Sequence, residues 1–189
     1  MNSPRDALFD DHEVELLRHL PGQEMRRVIA PQLLPGTTIA VETLLVETSE
    51  GILAIDARPE VVNMCGDADE YFIVNVTRPE ITSDLRGTSF YFGSGQVIES
   101  VQVARWNVRR EGIDEKSAGS SLDTGVVIRC KDGSSIGLFS ATVFMPELTF
   151  TGSDGDLATS EVPDVNDART SSLDEFWISE VHLLDVVDL

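Results

Sequence analysis

Three carboxylates and a thiol lie close together in the segment Cys65-Gly66-Asp67-Ala68-Asp69-Glu70. Oxygen ligands at this density can bind a hard divalent cation such as Ca²⁺. The segment lacks the spacing of an EF-hand calcium loop, with its central glycine and its terminal glutamate. We therefore expect a solvated polar loop, in which Asp67, Asp69 and Glu70 form only a weak candidate metal site.

No sequence pattern indicates catalysis or a cofactor. The histidines are His12, His19 and His182, and no H-E-x-x-H zinc motif occurs. No G-x-S-x-G nucleophile elbow is present. Two glycines in Phe92-Gly93-Ser94-Gly95 lack the third glycine of a dinucleotide loop, and no Walker motif exists. We therefore predict no catalytic residue and no cofactor, and we favour a protein that is not an enzyme.

The charge of the chain is its most informative property. Fourteen Lys and Arg stand against 33 Asp and Glu, which gives a formal net charge of -19 on 189 residues. The segment from Phe144 to Leu189 holds eleven acids and one base, Arg169. A field of this sign repels nucleic acid and anionic membranes and attracts basic proteins.

This charge leads to the hypothesis of a non-enzymatic binding protein that engages a basic protein partner. Immunity proteins and antitoxins share this physical type, because they inhibit basic toxins through charge complementarity; the analogy rests on charge and not on a family pattern. Interface anchors are usually aromatic, with acids setting rate and selectivity. The candidate partner-binding residues are Trp177, Phe176, Trp106, Asp174, Glu175, Asp164 and Asp167.

Two alternatives from other classes stay open. The chain could be a structural or accessory β-domain whose acidity serves solubility, or reflects adaptation to salt. It could also be an enzyme or small-ligand binder whose site is built from distant residues. An even spread of acids over every face favours the first alternative, and a cavity with converging carboxylates favours the second.

Composition and length predict a globular protein. Hydrophobic residues make up 41% of the chain, which is ordinary for a folded domain. No apolar run is long enough to cross a bilayer, and the N-terminal residues lack the order of a secretory signal. We expect a cytoplasmic, bacterial-type protein, with Cys65 and Cys130 as unpaired thiols.

The first part of the chain has a helical pattern. Asp10 followed by Glu13 predicts a capping box, and Val14, Leu17 and Leu20 recur at helical spacing before Pro21-Gly22 ends the helix. A second, shorter helix would carry Met25, Val28 and Ile29.

From Thr37 onward the apolar period changes to that of strands. The segments 43–57 and 126–140 predict hairpins, the second around Asp132-Gly133, which is a strong turn signal. Tyr71 to Thr77 predicts a further strand, and Ser89 to Phe92 and Gln96 to Val108 predict another pair. Arg109 to Asp123 is polar and predicts an exposed loop.

The sum is a mainly β fold, an antiparallel sandwich or curved open barrel with one or two short N-terminal helices (α+β by strict count). Residues 1–151 would form the helical N-terminus and the β domain. Residues 152–172 have the composition of an acidic flexible linker or loop. Residues 173–189 would dock on the same domain, with β-branched content favouring a strand over a helix.

Overall fold

A computed structural model describes residues 6–30, 39–64, 67–79, 88–91, 96–110, 119–140, 148–153 and 177–189. Two antiparallel sheets and one α-helix make up this part of the chain. The prediction of a mainly β, antiparallel fold is confirmed.

The elements follow one another in a chain order that begins with the helix. They are α1 (Asp11–Arg18), β1 (Met25–Ala30), β2 (Ile39–Val41), β3 (Thr43–Thr48), β4 (Gly51–Met64), β5 (Asp67–Thr77), β6 (Thr88–Tyr91), β7 (Ile98–Arg110), β8 (Gly119–Cys130), β9 (Ser135–Ser140), β10 (Leu148–Ser153), β11 (Trp177–Asp185) and a C-terminal 3-10 turn (Val186–Asp188).

The described strands divide into a sheet of five and a sheet of six. The first sheet has the order β5-β4-β3-β1-β6, and the second has the order β11-β7-β8-β9-β10-β2. A large apolar cluster contains residues of both sheets, among them Val46, Ile55 and Val76 from the first and Val103 and Ile128 from the second. The sheets therefore pack face to face over a shared core, as in a β-sandwich.

Both predicted hairpins are confirmed. β8 and β9 pair around a turn in which Gly133 has φ 88°, a left-handed conformation that glycine adopts without strain. β3 and β4 pair around Ser49 and Glu50. β4 continues past the predicted hairpin segment, through Pro59, to Met64. Pro59 lies beyond the part of β4 that pairs with β3, so its missing N–H costs no bond to that strand.

Two predictions about the first sheet are wrong. Met25, Val28 and Ile29 belong to strand β1 rather than to a second helix, and β1 lies between β3 and β6. A short apolar run fits a helix and a buried strand equally well. Hydrogen bonding to β3 on one side and β6 on the other stabilises the strand here. β6 and β7 do not pair with each other either, because β6 joins the first sheet and β7 the second.

Two segments predicted as loops are strands. β8 begins at Gly119, inside the expected loop Arg109–Asp123, and its Leu122 and Asp123 are both 0% exposed. Asp67, Asp69 and Glu70 open strand β5 and lie opposite Met64, Val62 and Val61 of β4, respectively. Both polar segments have a weak intrinsic preference for strands. Each is held in a strand by hydrogen bonds to a long neighbouring strand, β7 for β8 and β4 for β5.

The C-terminal residues form a strand, as the β-branched content predicted. β11 pairs with β7 over its whole length, and the 3-10 turn follows it. The predicted linker 152–172 lies outside the described residues except for Gly152 and Ser153, which end β10. The proposed domain boundaries stay a prediction.

The long hairpin of β4 and β5 contributes to two different apolar clusters. Ile55, Val74 and Val76 join the main core, whereas Val62 and Ile73 join a second cluster with Trp106 and Leu122. Because adjacent strand residues point to opposite faces, the two ends of this hairpin bury opposite faces.

Gly125 of β8 lies under the ring of Phe139 of β9. A Cβ atom at Gly125 would come 2.7 Å from the carbonyl oxygen of Leu138 and closer still to Phe139 Cδ1. We expect Gly125→Ala to lower the free energy of unfolding by about 1–3 kcal/mol, since overpacking forces neighbours apart. Urea unfolding measures this loss. The loss should shrink in a Phe139→Leu background, and a Gly125→Ala variant as stable as the parent would contradict the close packing.

Candidate functional site

Helix α1 begins with the capping box that the sequence predicted. Asp10 Oδ1 accepts a hydrogen bond from the backbone N–H of Glu13 at 2.8 Å, and Glu13 Oε2 accepts one from the N–H of Asp10 at 2.9 Å. Leu16 and Leu17 place the inner face of the helix in the main core. The capping box therefore fixes both the start of the helix and the direction of its buried face.

Glu13 has a second role that the capping pattern did not reveal. Its side chain is buried, and Oε1 accepts hydrogen bonds from the backbone N–H of Val76 at 3.1 Å and from Arg58 Nη1 at 3.3 Å. Val76 belongs to β5, an edge strand of the first sheet. One carboxylate thus joins the helix to the edge of that sheet. Burial raises the pKa of Glu13, although the N–H donors of Asp10 and Val76 and the charge of Arg58 oppose the rise.

The residues before the helix reach the other sheet. Asp6–Leu8, here named the N-terminal arm, lie beside β8 in a parallel bridge between Ala7 and Leu122. The N–H of Ala7 donates to the carbonyl oxygen of Ser121 at 2.9 Å, and the N–H of Asp123 donates to that of Ala7 at 2.9 Å. The arm occupies the part of β8 that extends past its pairing with β9.

Asp123 forms a buried ion pair and also binds Phe9, the residue that follows the arm. Its carboxylate is 0% exposed and accepts hydrogen bonds from Arg105 Nε at 2.8 Å and Arg105 Nη2 at 3.1 Å. Oδ2 also accepts the backbone N–H of Phe9 at 2.8 Å. We name this arrangement the Asp123 clasp. The bidentate geometry and the third donor satisfy a charge that would otherwise be costly to bury.

The outer side of α1 and the C-terminal 3-10 turn form one surface. Arg18 Nε donates to the carbonyl oxygen of Val186 at 3.1 Å, and the side chain of Val186 is buried in the main core with those of α1. Val187 next to it is 69% exposed. The exposed acids of this surface are Asp11 and Glu15 on the helix and Asp185 and Asp188 at the turn. We name it the α1–turn surface.

Four arginines make contacts with other side chains of the fold. Arg27 pairs with Glu47, Arg58 with Glu13, Arg105 with Asp123, and Arg129 donates to Gln102. Over the described side chains, twelve acids are exposed against four bases, which are Arg18, Arg26, Arg78 and Lys131. The surface field of this part of the molecule is therefore strongly negative.

The structure places the predicted partner-binding residues in different surroundings. Trp106 is 1% exposed and packs with Leu122 and Val108, so its assignment as a surface anchor is corrected: the ring fills the core. The backbone of Trp177 begins β11 and pairs with Arg110. Phe176, Asp174, Glu175, Asp164 and Asp167 lie outside the described residues.

The candidate metal residues do not form a loop. Asp67 and Asp69 lie on β5 at register positions opposite Met64 and Val62, and Glu70 is exposed. Over the side chains that the structure describes, no group of three or more His, Cys, Asp or Glu has an arrangement that could hold a metal ion.

The contacts of Glu13 and Asp123 were missed by the sequence analysis. The partner of Arg105 is Asp123, which is 18 residues away and adjacent in the β7–β8 register. An acid inside a strand gave no local signal. Only the knowledge that β7 and β8 pair would have placed Asp123 beside Arg105.

Comparisons with known proteins give no relative for this arrangement. No protein-family model matches the chain, and neither the curated proteins nor the solved structures contain a match. No helix in the described ranges is long and apolar enough to cross a membrane.

The Asp123 clasp predicts a large loss of stability when one partner is removed. We expect Asp123→Ala to lower the free energy of unfolding by about 3–5 kcal/mol, because it leaves Arg105, which is 20% exposed, without its anion. Urea unfolding measures the loss. Replacing both partners, as Arg105→Met with Asp123→Leu, should cost clearly less than the sum of the single changes. Additive losses would contradict a coupled pair.

The raised pKa of Glu13 predicts that the free energy of unfolding falls as the pH rises. The folded protein binds the Glu13 proton more tightly than the unfolded chain does. The stabilisation from this proton is present at low pH and is lost as the pH rises through the pKa of the folded state. The stability of Glu13→Gln relative to the parent should therefore increase from acid pH toward neutral pH. Urea unfolding across this range measures it, with Glu15→Gln on the exposed side of the helix as control. A Glu13→Gln difference independent of pH would contradict the assignment.

Proposed function

We propose that this protein binds a basic protein partner through the α1–turn surface and does not act as an enzyme. The observation that carries the proposal is the exposed Val187, which lies in the chain next to Asp188 and two residues after Asp185, on a turn that Arg18 joins to the helix of Asp11 and Glu15. An exposed apolar side chain on an acidic surface fits the pattern of an interface with an apolar centre and a polar rim.

The physics of such an encounter is long-range attraction followed by short-range contact. The net charge of -19 and the excess of exposed acids over exposed bases would raise the association rate with a cationic surface. Added salt would slow that association, since exposed charges are screened beyond about 10 Å at roughly 0.1 M ionic strength. Contact with Val187 would then contribute to the lifetime of the complex. Inhibitors of basic toxins are the protein class that this combination suits best.

The α1–turn surface is also held rigidly relative to the fold. The capping box fixes the start of α1, Glu13 joins the helix to β5, and Arg18 joins it to the 3-10 turn. Because the backbone that carries these carboxylates is already ordered, binding has only their side chains to order. This favours specific binding over a diffuse attraction.

The test compares two variants of equal net charge. The surface variant carries Asp11→Asn, Glu15→Gln, Asp185→Asn and Asp188→Asn. The control variant carries Glu42→Gln, Glu70→Gln, Glu99→Gln and Glu180→Gln, four exposed acids that lie elsewhere. Each variant and the parent are immobilised and exposed to proteins of the source cell at about 50 mM and about 500 mM NaCl, which spans strong and weak screening.

We expect a basic protein to be retained by the parent and the control variant at low salt, and to be lost from the surface variant. The retained protein is identified by mass spectrometry, purified and titrated against all three chains. An affinity that falls about tenfold or more in the surface variant only would support the proposal. Equal loss in both variants would mean that binding follows net charge, and the proposed surface would be wrong.

A second candidate function is favoured by the wider distribution of acids. Exposed acids also lie on β5, β7 and β11 and in the β8–β9 turn, as Glu70, Glu99, Glu180 and Asp132. Such a spread fits an accessory β-domain whose acidity keeps it soluble. If no basic protein is retained at low salt by any of the three chains, this second function replaces the first.

A further inference from the structure

We propose that the N-terminal arm is a latch that opens while both sheets stay folded, and that its opening uncovers the edge of β8. The inference is independent of the proposed function. It rests on what the arm contacts, on what it leaves exposed and on what lies beneath it.

The arm itself is held by few contacts. Asp6 is exposed, Leu8 is 36% exposed, and only Ala7 is buried, with 4% of its surface accessible. Its hydrogen bonds to other described residues are the two backbone bonds of Ala7 and a bond from the N–H of Ser121 to Asp6 Oδ1 at 2.8 Å. A segment that buries one methyl group belongs to the least stable end of a protein, where local opening is frequent.

The sheet beneath the arm does not depend on it. Ser121, Leu122 and Asp123 pair with β7 on their other side, at Asn107, Trp106 and Arg105. Phe9, which follows the arm, is fixed separately, because it packs in the main core and donates its N–H to Asp123 of the clasp. Opening can therefore pivot between Leu8 and Phe9 without breaking the β7–β8 ladder or the clasp.

Opening would change the surface at the edge of β8. The backbone groups of Ser121 and Asp123 that now bond the arm would face water, as an open strand edge. The methyl group of Ala7 would also leave the apolar cluster that contains Leu122.

Hydrogen exchange of the full chain tests the latch directly. We expect the amides of Ala7 and Asp123 to exchange about 100-fold faster than those of Val126 and Leu138, which pair between β8 and β9. Exchange through local opening should also be nearly independent of low urea concentrations, because little surface is exposed. If the Ala7 and Asp123 amides follow the same urea dependence as Val126 and Leu138, the arm opens only on global unfolding and the proposal is overturned.

Discussion

The buried carboxylates of Glu13 and Asp123 hold the segment from Phe9 to Glu13 between the two sheets, and the position of helix α1 depends on them. Glu13 accepts the N–H of Val76 on the first sheet, and Asp123 of the second sheet accepts the N–H of Phe9. Each carboxylate also has an arginine, Arg58 or Arg105. A buried charge is tolerated only with full pairing, so the segment from Phe9 to Glu13 has little freedom to lie elsewhere.

This constraint reaches the outer surface through the helix. Once Glu13 and the leucines of α1 are fixed, the exposed side of the helix must carry Asp11, Glu15 and Arg18 outward beside the 3-10 turn. The two buried ion pairs remove one base and one acid each from the surface charge. The surface is acidic because the whole chain holds 33 acids against 14 bases.

The features that the sequence predicted well are those determined by neighbouring residues. The capping box of Asp10 and Glu13 spans one helical turn, and the β8–β9 hairpin depends on a turn around Gly133. The strand β1 was mistaken for a helix because a run as short as Met25–Ala30 fits both periods. The pairing of β6 with β1 has no local signal at all, since the two strands are far apart in the chain.

The candidate surface was less predictable than the fold, for a related reason. Trp106 next to Arg105 resembles an exposed aromatic and basic pair, yet Arg105 turns to Asp123 and Trp106 enters the core. The register shift between Ala104 and Arg105 leaves Thr124 of β8 as an extra residue, so the alternation of β8 reverses at this point. Leu122 therefore joins the cluster of Trp106 although Val126, four residues later on the same strand, joins the main core.

The position of Glu13 against β5 has a consequence for the fate of the chain in concentrated solution. An edge strand offers unpaired backbone groups on which a strand of another molecule can add, and repeated addition leads to fibrils. By accepting the N–H of Val76, Glu13 withdraws one of these groups and keeps a helix in the path of an incoming strand. The helix therefore covers part of this strand edge and leaves less of it open to a strand of another molecule.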